Sequence, residues 1–130
     1  MPRSDVPKPT DAELAILRVL WKKGPSTVRQ VHEIVTQDRP LAYTTTLKVL
    51  QIMTEKGLTT REEQGQLHLY RARHPEEATQ RRLVGDLLER AFGGSSAKLV
   101  MQALASKRAS PEELREIRRL LKAYKEQDHD

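Results

Sequence analysis

The sequence predicts a mostly α-helical protein with one small β-hairpin, organised as a winged helix-turn-helix domain followed by a C-terminal helical dimerisation domain. Residues 10–56 place apolar side chains at helical spacing in three short blocks. Residues 58–72 then form two short runs around a Gln-Gly turn, which is typical of a hairpin. From residue 75 the helical spacing returns, and 130 residues are enough for a compact domain with a small appendage.

Charge and composition restrict the classes of function. The net charge is +5, and residues 1–74 carry 12 Lys and Arg against 8 Asp and Glu, so a nucleic-acid site is expected in that part. The absence of cysteine excludes disulfides, thiolate catalysis and Cys-ligated metals. No apolar run is long enough for a membrane span and the first residues lack a signal-peptide core, so we expect a cytoplasmic protein with no membrane partner.

Capping motifs and helix breakers delimit the first two helices. Residues 1–9 contain three prolines and mixed charge, which predicts a disordered arm. Gly24-Pro25 ends the first helix, and the second runs out near residues 37–40. Each helix begins with a capping box, in which two side chains satisfy each other's free backbone N–H groups. The two boxes are Thr10-x-x-Glu13 and Thr27-x-x-Gln30.

The third helix and the hairpin complete the predicted winged-helix domain, residues 10–74. The helix spans roughly residues 42–56, and Gly57 follows in the position that favours a left-handed glycine. The strands are predicted at residues 58–62 and 66–72, where apolar and polar side chains alternate in the second run.

The third helix divides into an apolar and a polar face. Its hydroxyl, lysine and amide side chains cluster toward the N-terminus, where the helix also offers backbone N–H groups to phosphate. Such a helix fits the major groove of DNA. Lys48 and Gln51 are candidates to contact base edges, and the neighbouring hydroxyl side chains and the wing residues are candidates to contact the DNA backbone. The alternative for each residue is an ordinary solvated face. The DNA-binding candidates are Arg29, Tyr43, Thr44, Thr45, Lys48, Gln51, Arg61, His68 and Arg71.

The last region, residues 75–126, predicts three amphipathic helices: one from Pro75, one at about 97–106 and one from Pro111. About 50 residues bury too little surface to be stable alone, which favours two copies packing together. The alternative is that these side chains pack on the winged helix of the same chain. The predicted dimerisation residues are Leu83, Leu87, Leu88, Leu99, Val100, Leu104, Leu114, Ile117 and Leu121.

Two other classes of function find little support. The chain has no Gly-rich phosphate loop, no G-x-S-x-G or H-E-x-x-H motif and no paired carboxylates in an apolar setting, so we expect neither enzyme activity nor a cofactor. The histidines lack metal-ligand spacing; they are His32, His68, His74 and His129. A winged helix that binds proteins instead of DNA stays an alternative, although the exposed face of the third helix is mostly hydroxyl and amide, with Ile52 the exception.

The sequence also resembles the BlaI/MecI, or penicillinase repressor, family over roughly residues 10–124. The resemblance is carried by DAELAILRVLW, LAYTTTLKVLQIMTEKGL, AFGGSS, KLVMQAL and ASPEELREIRRLL, which occur together at the expected distances. It implies a homodimer that binds a palindromic operator and blocks transcription. In the best-known branch the controlled genes confer β-lactam resistance, and a membrane sensor protease starts cleavage of the repressor. A copper-responsive branch carries a C-terminal cysteine motif, which this chain lacks.

The resemblance also places a cleavage position in the first helix after the glycine break. Relatives in the protease-controlled branch are cut between Asn and Phe, and these align with Gln102 and Ala103. Because alanine offers a protease pocket little of the apolar area of phenylalanine, we expect a sensor protease of that branch to cut this chain poorly.

Overall fold

The computed structural model describes residues 6–106 and 108–127, which form six α-helices and one hairpin. The chain divides into two compact units, which we call the N-terminal unit (Met1–Asp86) and the C-terminal unit (Leu87–Asp130). In chain order the elements are α1 (Asp11–Lys23), α2 (Val28–Val35), α3 (Tyr43–Lys56), β1 (Thr59–Gln64), β2 (Leu67–Ala72), α4 (Glu76–Phe92), α5 (Ser96–Ser106) and α6 (Pro111–Gln127).

The predicted capping boxes begin α1 and α2. The Glu13 backbone N–H donates to Thr10 Oγ1 at 3.2 Å, and the Thr10 N–H donates to Glu13 Oε1 at 2.9 Å. Thr27 and Gln30 make the same reciprocal pair at 3.2 and 2.9 Å. Replacing such a cap by alanine costs about 1 kcal/mol, so both starts are strongly specified by the local sequence.

One hydrophobic core holds the N-terminal unit together. As predicted, α3 turns Leu50 and Met53 inward; both are fully buried, and Thr46 is buried beside them. Trp21 packs against this core while its indole Nε1 donates to the His74 carbonyl at 3.0 Å. The apolar core consists of Ile16, Leu17, Leu20, Val28, Val31, Leu50, Met53, Leu58 and Tyr70.

The hairpin is antiparallel, and its strands pair from Thr59 with Ala72 to Gln64 with Leu67. The first strand is longer than predicted and the turn falls at Gly65 and Gln66, because pairing continues to residue 64. Side chains alternate along the second strand, but the faces are the reverse of those that the apolar and polar pattern predicts: Tyr70 is buried, whereas Leu67 is 60% exposed. The reason is that the phenol ring of Tyr70 is part of the hydrophobic core. A short bridge adds a third segment to the hairpin, since Ser26 and Tyr70 exchange backbone hydrogen bonds of 2.9 and 2.8 Å.

Gly57 ends α3 in the left-handed conformation, as the sequence predicts. Its φ is 85° and its N–H bonds back to the Thr54 carbonyl at 3.2 Å. A side chain at this position is disfavoured by the positive φ, and its Cβ would also lie 3.3 Å from Nη1 of the exposed Arg73. This turn sends the chain directly from α3 into the hairpin.

The N-terminal unit includes residues on both sides of the predicted winged-helix domain, 10–74. Residues 1–5 of the predicted arm lie outside the described residues, but Pro9 is buried and Lys8 Nζ lies 2.6 Å from Asp86 Oδ2. Thr79 on α4 is 2% exposed. The compact N-terminal unit thus includes the first half of α4, up to Asp86.

The C-terminal unit consists of the end of α4 together with α5 and α6. The Ser110 and Glu113 capping box begins α6, with the Glu113 N–H donating to Ser110 Oγ at 3.0 Å. No residue of 87–106 or 108–127 is buried. Among the described residues, no helix combines the length and the apolar character that crossing a membrane requires.

Candidate nucleic-acid interface

The N-terminus of α3 is the open end of a helix that the core holds in place. Unlike Thr10 and Thr27, the N-cap residue Ala42 makes no side-chain hydrogen bond to the first turn. Thr46 in the second turn anchors the buried side of the helix. Such an end leaves backbone N–H groups and the positive end of the helix dipole available to an anion.

The predicted base-reading residues lie on the exposed side of α3. Lys48 and Gln51 are exposed and stand three residues apart, which puts them on one side of the helix together with Thr44. Thr45 is also exposed, but it lies toward α1 and lines a groove there. The structure therefore brings Thr44, Lys48 and Gln51 together and sets Thr45 to one side.

His32 is a functional candidate that sequence reasoning missed. Its Nδ1 lies 2.8 Å from Thr46 Oγ1, and its ring meets the ring of Tyr43 edge to face with centroids 5.4 Å apart. Tyr43 is 45% exposed at the start of α3, so this contact orients a side chain that was predicted to touch the backbone of DNA. The sequence signal for it is helical spacing, because His32 lies four residues after Val28 and three before Val35 on α2.

The hairpin separates its two predicted phosphate contacts. Arg61 pairs with Tyr70 and Arg71 pairs with Thr60, so the two arginines lie on opposite faces of the ribbon. Arg71 Nη2 donates to Glu62 Oε1 at 2.9 Å across the hairpin. Arg61 has no ion-pair partner within residues 6–106 and 108–127, so it is the freer of the two to meet an anion.

The other two candidates are also at the surface. His68 is exposed, with Nε2 3.6 Å from Glu63 Oε2. Arg29 is exposed in the first turn of α2. As for metals, the described residues contain no group of three His, Cys, Asp or Glu side chains that could hold an ion; His129 lies outside them.

A largely buried ion pair fixes the far end of α3 against α1. Lys56 Nζ lies 2.6 Å from Glu13 Oε1, and the side chain of Glu13 is 5% exposed. Burial by itself raises the pKa of the Glu13 carboxyl, but hydrogen bonds from Lys56 and Thr10 and the charge of Lys56 together lower this pKa below its ordinary value. The pair thus joins the C-terminal end of α3 to the N-terminal end of α1.

Comparison with known proteins places this arrangement in a family. The family model described as "Penicillinase repressor" matches residues 9–123. The chain belongs to the penicillinase repressor family. The resemblance seen in the sequence is thereby confirmed, and because the family consists of transcriptional repressors, the prediction that the chain is not an enzyme is confirmed as well.

Individual relatives agree with the family match. The "Transcriptional regulator BlaI" of Mycobacterium tuberculosis is 35% identical over 92 residues, which cover 70% of this chain and 67% of that protein. The "Penicillinase repressor" of Bacillus licheniformis is 22% identical over 120 residues, or 92% of this chain and 94% of that protein. The family member described here therefore aligns with a repressor along nearly its whole length.

Solved structures show the same fold for the N-terminal part. The solution structure of the DNA-binding domain of the repressor BlaI has a TM-score of 0.51 at 22% identity, covering 60% of this chain and 93% of that one. The Bacillus licheniformis BlaI monomer, solved in complex with the blaP half-operator, has a TM-score of 0.50 at 22% identity and covers 56% of this chain and 89% of that one. The predicted winged-helix fold class is confirmed.

Proposed function

We propose that this repressor acts as a homodimer that binds a palindromic DNA operator, with α3 in the major groove and the hairpin beside the phosphate backbone. The observation that carries the proposal is the exposed polar side of α3, with Lys48 and Gln51 next to an uncapped helix N-terminus. The surplus of basic residues in the same part of the chain supports it. So does the solved relative that is described in complex with a half-operator.

The proposed contacts fall into two classes. Lys48 and Gln51 reach base edges, because the middle of a recognition helix lies deepest in the groove. Thr44, Thr45 and the hydroxyl of Tyr43 contact phosphates or thymine methyl groups near the helix start. Arg29, Arg61, His68 and Arg71 contact the phosphate backbone, and the free Arg61 is expected to contribute more than Arg71, which Glu62 already neutralises.

Exposure of the C-terminal unit supports dimerisation. Val100 is 48% exposed, Leu104 39% and Leu121 64%, and the described part of this unit has no buried residue to hold it together. A second copy that covers these side chains would supply the missing core. Of the nine predicted interface residues, Leu83 lies in the N-terminal unit and the other eight lie in the C-terminal unit.

Binding to DNA is tested by comparing Lys48→Ala with Lys122→Ala, an equal loss of charge on α6. Fluorescence anisotropy on DNA from upstream of the chain's own gene and on random DNA measures both affinities. Lys48→Ala should cost about 1–3 kcal/mol on the specific site and much less on random DNA, whereas the control changes neither. Equal loss on both DNAs would make Lys48 a phosphate contact, and no loss would refute the groove placement.

Dimerisation is tested in the full chain with Ile117→Asp. A carboxylate at a buried interface is strongly unfavourable, so sedimentation equilibrium should show a monomer. Fluorescence anisotropy should show that this monomer binds the operator much more weakly. Lys122→Asp introduces the same group five residues away on the polar side of α6 and should leave the dimer intact. A dimer that survives Ile117→Asp would contradict the proposed interface.

Regulation by proteolysis is expected to differ from that of the best-known branch. Gln102 and Ala103 are both exposed on α5, so the aligned position is at the surface but in helical conformation. Incubation with a sensor protease of that branch, followed by mass analysis, should leave the chain intact. Prompt cleavage between these two residues would show that alanine suffices in place of phenylalanine.

A further inference from the structure

A groove of about 780 Å³ lies within the N-terminal unit, between α1, the end of α2 and the first half of α3. Its walls are mainly apolar and include Ala15, Val19, Val35 and Val49. None of these four is among the fully buried residues of the core, so their side chains face open space as well as the protein. Pockets of roughly 300–1,000 Å³ are the size that small organic ligands occupy in proteins.

Four basic residues line the same groove: Arg18, Lys22 and Lys23 from α1, and Arg39 from the segment after α2. All four are exposed, and none has an ion-pair partner in residues 6–106 and 108–127. The lining contains one acidic residue, Asp38. The groove therefore combines apolar walls with an excess of uncompensated positive charge.

We propose that this groove binds a small organic anion with a compact apolar body, such as an aromatic carboxylate. The apolar part lies against Ala15, Val19 and Val49, where burial of its surface is favourable. The anionic group meets Arg18 or Lys22 through charge-assisted hydrogen bonds. A phosphate group alone would satisfy the cations but leave the apolar walls uncovered, and a neutral apolar ligand would leave the cations without a partner.

Most of this site lies apart from the proposed DNA surface, and Thr45 is the residue that both contain. Thr45, Thr46 and Val49 line the groove, whereas Thr44, Lys48 and Gln51 lie on another side of α3. Binding of the anion can therefore be measured with no DNA present, and the result does not depend on whether the chain recognises an operator.

The experiment is an NMR titration of the ¹⁵N-labelled full chain with three probes: 2-naphthoate, the neutral 2-naphthalenemethanol, and inorganic phosphate. Naphthoate should cause saturable amide shifts along α1 and around Val49. It should bind roughly three- to tenfold more tightly than the alcohol, because only the carboxylate engages the basic residues. Phosphate should cause no saturable shifts at the apolar walls.

Variants locate the site. Arg18→Gln with Lys22→Gln should reduce naphthoate affinity to that of the alcohol, since both positions are exposed and their loss leaves the core intact. Arg118→Gln with Lys122→Gln removes the same charge from α6 and should have no effect. Ala15→Trp fills the groove and should abolish binding of both aromatic probes.

Three results would overturn the proposal. Equal shifts with phosphate would show that the basic residues attract any anion. Naphthoate shifts confined to α5 and α6 would place the probe on the exposed apolar side chains of the C-terminal unit. Binding of an acidic amphipathic peptide at the same amides, with no response to naphthoate, would assign the groove to a protein partner.

Discussion

The two units of this repressor use the same local signals and reach different degrees of packing. Both have helices that begin with a capping box: Thr10 and Glu13 in one unit, Ser110 and Glu113 in the other. Among the described residues, the apolar core of the N-terminal unit contains nine buried side chains, whereas the C-terminal unit buries none and exposes Met101 by 66% and Tyr124 by 69%. Capping and amphipathic spacing therefore specify helices in both units, but only in the first does the chain itself supply the partner for each apolar face.

The largest expected effect is a truncation in the core of the N-terminal unit. Leu50→Ala should lower its free energy of unfolding by about 3–4 kcal/mol, because a fully buried leucine leaves a cavity. Urea denaturation followed by tryptophan fluorescence measures the change. Leu121→Ala is the control, since Leu121 is 64% exposed in the other unit and should leave this transition unchanged.

A loss of stability from Leu121→Ala as large as that from Leu50→Ala would contradict this difference between the two units. It would mean that the two units unfold as one cooperative body and that the apolar residues of the C-terminal unit already stabilise the first.

An intermediate effect is expected from the ion pair between α1 and α3. Lys56→Met should cost about 1–2 kcal/mol, because Glu13 is left largely buried with one hydrogen bond fewer. The double variant Glu13→Gln, Lys56→Met should recover part of the loss, since no unpaired carboxylate remains. Chemical denaturation of the parent chain, the two single variants and the double variant gives the coupling between the two side chains. If Lys56→Met is as stable as the parent chain, the ion pair between Lys56 and Glu13 does not stabilise the fold.

The same pair predicts an acid-dependent loss of stability in the N-terminal unit. The pKa of Glu13 is lower in the folded chain than its ordinary value of 4.5, so ionisation of this carboxyl favours the folded state. That contribution is fully present above about pH 4.5 and is lost as the pH falls through the lower, folded-state pKa. Denaturation midpoints between pH 6 and pH 3 should fall less steeply in Glu13→Gln than in the parent chain.

The smallest effect is expected at the exposed ion pair of the hairpin. Arg71→Ala should change stability by less than about 0.5 kcal/mol, because Arg71 and Glu62 are both about half exposed. Thermal unfolding of the parent chain, Arg71→Ala, Glu62→Ala and the double variant gives the contribution of this ion pair to stability. A loss as large as that of Lys56→Met would show that the hairpin is held mainly by charge and not by Tyr70.

Much of the fold follows from local sequence, because caps and breakers act within a few residues. Thr10, Thr27, Ser110 and Gly57 mark element ends correctly, since each acts on its own backbone neighbours. The strand limits were less accurate, and the extent of the compact N-terminal unit does not follow from local sequence. They depend on pairing and on contacts such as Lys8 with Asp86, which lie 78 positions apart in the chain.

The candidate sites show the same difference between what local sequence determines and what depends on distant contacts. The exposed side of α3 could be predicted because helical spacing alone determines which residues share a side. His32 beside Tyr43 could not, since the contact joins α2 to α3. The groove proposed to bind an organic anion could not be predicted for the same reason. Its walls come from three helices and form only when these helices pack together.

The single tryptophan of the chain gives these units different optical signatures. Trp21 lies in the N-terminal unit with its indole hydrogen-bonded to the His74 carbonyl, and the C-terminal unit contains no tryptophan. Emission excited at the red edge of the absorption band therefore follows the winged helix alone, whereas far-ultraviolet circular dichroism follows the helices of both units. If the two signals separate along a dilution series, the concentration-dependent part of the helical signal can be read as assembly, without a label and without a second protein.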